Sequence, residues 1–259
     1  EYYINNRHAR NDRDSFYWSA DVLCRIVEFF GQHGSVASAR LFRETEQNLL
    51  DLMWLYAKEN SYIGEDFKLQ WDDLPRSATY PLSASWSPWR MIQSENHQIQ
   101  KFTTLWNFSN ILKNSPDYRD RAYADGHTAA EHYKAWTEYA KQFLRERAKK
   151  GLFCEMASGY GPHSLKGIYN LFDFAKDAHL SNLAENFLHL YYAKWAQEQI
   201  NGVRGGGKSR SSVDWSGGTL REFMWFYLGI GEMPDLVGSR ATIATSDYRL
   251  PLVIMDLAL

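Results

Sequence analysis

Glu95, Asn96 and His97 put a carboxylate, an amide and an imidazole in consecutive positions at the start of an apolar-periodic segment, with Ser94 just before them. Side chains at a helix start project from one place, and these types supply a proton acceptor together with donors that stabilise developing negative charge. A second polar cluster, Phe153-Cys154-Glu155-Met156-Ala157-Ser158-Gly159-Tyr160, again stands before a helix and adds a carboxyl group and a phenol. A carboxyl kept protonated by burial, such as Glu95 or Glu155, can stabilise an anion, and a tyrosine hydroxyl can give a proton to a departing oxygen. Each residue also has a plainer reading. His97 beside Asn96 can be a capping pair, and Glu155 can be a buried carboxylate bonded to backbone amides.

Ten Trp and sixteen Tyr in 259 residues exceed what a core requires. Exposed flat rings stacking on sugar faces account for the surplus, with Trp86 and Trp89 of the run Trp86-Ser87-Pro88-Trp89 as candidates. An aromatic-rich helical core is the competing account. The two helix mouths are therefore expected to face each other across a saccharide groove. The glycine-rich loop carries Arg204, Lys208 and Arg210, which suit the binding of carboxylates or form a solvated loop. A formal net charge of −2 disfavours nucleic acid as the main partner. Cys24 and Cys154 have neither disulfide nor zinc spacing, and His127, His132 and His163 show no metal-ligand pattern, so no catalytic metal is expected.

The elements that must position these groups are helical. Apolar residues recur at helical spacing from Ser15 to about Phe30, from about Ser38 to Lys58, and from Glu95 to Leu112. The capping box Thr128-Ala129-Ala130-Glu131 opens a helix that ends in Arg145-Glu146-Arg147-Ala148-Lys149-Lys150 before Gly151. Further helices are expected after Pro162, from about Leu180 to Ile200, from Thr219 to Leu228 and from Pro251 to Leu259. Residues 60–93, with Pro75, Pro81 and Pro88, read as a long loop, residues 5–14 as a solvated lead-in, and 201–210 as a flexible basic loop. Nothing alternates with period two, so the fold class is all-α, built from successive helical hairpins as an incomplete or open (α/α) toroid. A single domain over residues 1–259 is expected. Both ends read as cut from a longer chain, and no segment spans a membrane.

Taken in order, Ser94-Glu95-Asn96-His97, then Glu155 with Ser158 and Tyr160 before Leu165, then Asn201-Gly202 and Gly206 to Arg210 resemble the (α/α)-toroid polysaccharide lyases. Alginate lyases and glucuronan lyases are of this kind. The resemblance covers residues 86–259. It implies cleavage of a uronic-acid-containing glycan by β-elimination, without a cofactor, in a secreted or periplasmic protein that carries a β-sheet domain after the toroid. Asn96 would help neutralise the substrate carboxylate, His97 would take part in proton abstraction, and Tyr160 would be the acid or base at the glycosidic oxygen. Glu155 would join that catalytic set, with Glu95, Trp86, Trp89, Arg204, Lys208 and Arg210 binding substrate. Two other functions fit the same residues. One is a glycoside hydrolase using two carboxylates from Glu95, Glu155 and Asp173, and the other is a helical protein that holds an acidic glycan without turnover.

Overall fold

The computed structural model describes residues 1–11, 16–61, 95–149, 151–153, 160–204, 218–236 and 238–259. The chain is mostly helical, and among the described residues the only strands are a short hairpin. It divides into two compact units, Glu1–Phe143 and Leu144–Leu259.

In the first unit, the short helices α1 (Tyr2–Asn5) and α2 (Arg7–Asn11) precede α3 (Tyr17–Phe30), α4 (Arg43–Asn60) and α5 (Glu95–Leu112). The helix α6 (Ala129–Lys149) follows and contains the unit boundary. Helix α5 packs against both α3 and α4, and of its eighteen residues only His97 and Lys101 escape burial. A helix enclosed on nearly every side shows no amphipathic stripe. Its apolar residues Ile99, Phe102, Leu105, Trp106 and Phe108 are wholly buried. Each such side chain contributes about 1.5–3 kcal/mol by leaving water. Two of its buried polar groups find partners on neighbouring helices: the Trp106 indole donates to Thr137 Oγ1 at 3.0 Å, and Asn110 Nδ2 donates to Glu28 Oε1 at 3.1 Å.

The N-terminal residues depart from the solvated lead-in. Arg10 is only 4% exposed and donates to the carbonyls of Tyr3 and Ile4 at 2.8 and 3.0 Å. Arg10 also pairs with Glu59 at 3.2 Å, and Arg7 does so at 3.1 Å. Periodicity missed this because a guanidinium buries itself by bonding carbonyls. Helix α4 starts at Arg43 rather than near Ser38 for a similar reason. The amides of Ser35, Ala37 and Leu41 turn back to the last carbonyls of α3, spending the residues that would have formed another turn. Glu46 seals that turn by accepting from the Gln32 amide at 2.9 Å. The capping box forms, with Thr128 N donating to Glu131 Oε2 at 2.7 Å.

The second unit is built on a helical hairpin, α7 (Tyr160–Phe174) and α8 (Ala178–Glu198), with Asp177 capping α8 through the Leu180 amide at 3.0 Å. The helix α9 (Gly218–Leu228) follows, then α10 (Ser239–Ala244), which packs on α7, and α11 (Leu252–Ala258), which packs on α8. Helix α10 has too few residues for an apolar period to be seen. The expected loop at 201–210 begins as a two-residue hairpin, in which β1 (Gln199–Ile200) pairs antiparallel with β2 (Val203–Arg204). Asn201 and Gly202 both take positive φ, as an Asn-Gly turn of this kind requires. A Cβ on Gly202 would also stand 2.7 Å from Met224 Cγ, so the position needs glycine twice over.

Candidate functional site

Burial sorts the Glu95-Asn96-His97 run. Glu95 is 1% exposed and Asn96 has no exposed surface, whereas His97 keeps solvent access. The His97 ring is met edge-on by Trp18, at 5.1 Å between centroids and 88° between planes, which limits its rotation. Lys101, the other residue of α5 that escapes burial, stands one turn further on. Residues four apart share a helix face, so the open face of α5 presents an imidazole and an ammonium together. No sequence pattern singles out Lys101, because its neighbours Gln98 and Gln100 are polar too and only packing buries them.

Tyr160 is the first residue of α7 and is half-buried, with its carbonyl accepting from Ser164 Oγ at 3.2 Å. It belongs to the second unit, and Glu95, Asn96 and His97 belong to the first. Trp86, Trp89, Glu155, Lys208 and Arg210 lie outside the described residues, and of Arg204 only the backbone, in β2, is described. Asp173, a candidate hydrolase carboxylate, accepts from Ser246 Oγ at 2.9 Å and from the Asp247 amide at 3.0 Å. Those bonds tie the segment after α10 to α7, which is a structural occupation.

Another constellation brings a serine, a histidine and an aspartate together. The Trp136 indole donates to Ser61 Oγ at 2.8 Å, Ser61 Oγ lies 2.7 Å from His132 Nδ1, and His132 Nε2 lies 3.0 Å from Asp125 Oδ1. With the Asp125 carboxylate accepting at Nε2, neutral His132 is the Nε2–H tautomer, and the Ser61 hydroxyl gives its proton to Nδ1. Foremost through burial, its pKa is lowered from the ordinary value, and the Asp125 carboxylate pulls the other way without reversing it. Ser61 and His132 have no exposed surface. A nucleophile with no access to substrate, already accepting one hydrogen bond, is no acyl-transfer centre. The circuit fastens the end of α4 to α6.

The phenols of the second unit form a comparable closed set. Tyr169 bonds both Tyr192 and Tyr227 through their hydroxyls, and Tyr248 bonds His189 Nδ1 at 2.9 Å. Burial, ahead of all other causes, holds Tyr169 and Tyr192 well above the usual phenol range, so neither serves as a base.

Among the described residues, no three His, Cys, Asp or Glu side chains gather to hold a metal ion, and no helix is long and apolar enough to cross a membrane. Comparison of the chain with protein-family models, with curated proteins and with solved structures finds no match.

Proposed function

We propose that the chain is the catalytic part of a polysaccharide lyase that cleaves a uronic-acid-containing glycan by β-elimination, on an open (α/α) toroid of helical hairpins. The observation that carries this reading is the open face of α5. A helix otherwise enclosed keeps solvent access only at His97 and Lys101. Elimination removes the proton at C5 of a uronate, forms a double bond between C4 and C5, and expels the glycosidic oxygen from C4. His97 takes the C5 proton. Charge developing on the substrate carboxyl is met by the Lys101 ammonium and, from beneath, by the buried Asn96 amide acting as a preformed dipole. Tyr160 returns a proton to the departing oxygen. Glu155, with the cations of the glycine-rich loop and the tryptophans Trp86 and Trp89, completes the proposed catalytic and binding set.

A panel of glucuronan, alginate and related polyuronates tests the proposal through the ultraviolet absorbance of the conjugated product. Absorbance rising on at least one polymer supports it. New reducing ends without absorbance assign a hydrolase instead, and binding without either assigns a glycan-holding protein.

A further inference from the structure

The second unit carries an open groove of about 640 Å³ whose lining contains no charged side chain. Its floor is made of small residues near the ends of two packed helices, Ala196 of α8 and Ala258 of α11. One wall is α11 with Leu257, and the other is the Asn201 turn with Ile200 and Met224 of α9. Gln199 ties the two walls together: its Nε2 donates to the Ala258 carbonyl and its Oε1 accepts from the Gly202 amide, both at 2.6 Å. The groove is thus held in shape before anything enters it.

Apolar surface continues beyond the groove. Helix α11 packs on α8 and buries Ile254 and Ala258, which leaves Leu252, Val253 and Leu257 on its open side. Leu252 is 76% exposed, Val253 is 73% exposed one turn before Leu257, and Ile200 on the opposite wall is 72% exposed. A single exposed apolar side chain needs no explanation, but several gathered along one groove mark a contact surface.

The charges beside the groove say what covers it. Arg221 stands one turn before Met224 on α9, packed so closely on Gly202 that a Cβ there would lie 3.1 Å from the Arg221 Cα. Asp256 stands beside Leu257 on α11. Both side chains are exposed, and neither makes a hydrogen bond or ion pair among the described residues. A free cation on one wall and a free anion on the other form a pattern that a two-fold axis along the groove matches to itself: each copy's Asp256 meets the other's Arg221. An axis across the groove would set Arg221 against Arg221 and Asp256 against Asp256, so the charges also select the orientation. We infer that the chain pairs with a second copy of itself through this groove, with the open side of each α11 laid over the groove of the other and the Arg221–Asp256 pairs at the rim. Such a contact has the apolar centre and polar edge of a protein interface.

Sedimentation velocity of the whole chain from about 1 to 100 μM, in about 0.15 M salt to keep surface charges screened, tests the inference. A concentration-dependent monomer–dimer equilibrium is expected. Val253→Asp places a charge in the apolar centre and is expected to leave only monomer. Arg221→Glu and Asp256→Lys each set like charges face to face at both rims, and each is expected to weaken pairing at least about tenfold. The double variant Arg221→Glu/Asp256→Lys reverses both charges and is expected to restore pairing to within about threefold. All three side chains are exposed, and the swapped charges suit the helix ends they occupy, so the fold is not at stake; a melting curve checks this. Monomer at every concentration, a dimer indifferent to Val253→Asp, or a double variant no better than the single ones would overturn the inference. None of these residues belongs to the proposed catalytic set, so this pairing and the lyase reading can fail independently.

Discussion

Two imidazoles of the first unit show what burial does to the same side chain. His132 is enclosed, and both ring nitrogens are committed, one to Ser61 and one to Asp125. His97 stands at a helix mouth, reaches solvent, and is met edge-on by Trp18. Residue types alone would favour His132 for chemistry, because it stands between a serine and an aspartate, each within hydrogen-bonding distance of its ring. Accessibility reverses that ranking. A general base has to reach the proton it abstracts, and a closed circuit of satisfied hydrogen bonds stabilises a fold instead.

The largest effect expected in the proposed catalytic set is at Tyr160. Tyr160→Phe keeps the ring and removes the hydroxyl, and kcat on the cleaved polyuronate is expected to fall at least about a hundredfold with melting unchanged. Most of the activity surviving would remove Tyr160 from the mechanism and send the search for the acid to Glu95 and Glu155. Next comes Lys101→Gln, which retains length and polarity but loses the charge. An equal, roughly tenfold fall in kcat and kcat/KM would place the ammonium against transition-state charge, whereas a rise in KM alone would make it uniform binding.

The enclosed side responds to acid. The unfolded chain takes up a proton at His132 near the ordinary histidine value of about 6.5, and the folded chain does not until a lower pH. This contribution to stability is complete above that value and is lost as pH falls toward the folded pKa. Denaturant titrations should show stability dropping below about pH 6.5 by at most about 1.4 kcal/mol per pH unit from this group, with the slope reduced in His132→Gln. An unaltered slope would mean that other groups carry the acid response. Asp177→Ala, which removes the cap of α8 in the second unit, is expected to cost about 1 kcal/mol of stability and no activity.

The long helices were legible where periodicity and caps agreed, as in α6, whose capping box and basic end stand close together in sequence. What escaped was set by contacts between distant residues. Ser61 and His132 are seventy-one positions apart, and no local pattern marks them as partners. Arg10 reads as solvated until Glu59 arrives from α4. The Asn201-Gly202 hairpin did carry a local signal, because that dipeptide favours two consecutive positive φ values, but the strands it joins have only two residues each and no alternation to notice. At the proposed site, the neighbours of His97 in sequence single it out as a candidate, while the exposure of Lys101 and the burial of Asn96 depend on what packs around α5.

The most direct measurement compares His97→Ala with His132→Ala, reading polyuronate turnover and thermal melting on each. His97→Ala is expected to lose at least about a hundredfold in turnover with its melting temperature unchanged. His132→Ala is expected to melt earlier, because Ser61 and Asp125 are left buried without their partner, and to retain its turnover at temperatures where it stays folded. Unchanged turnover in His97→Ala, or loss of turnover in a fully folded His132→Ala, would contradict the division between an open catalytic imidazole and an enclosed structural one.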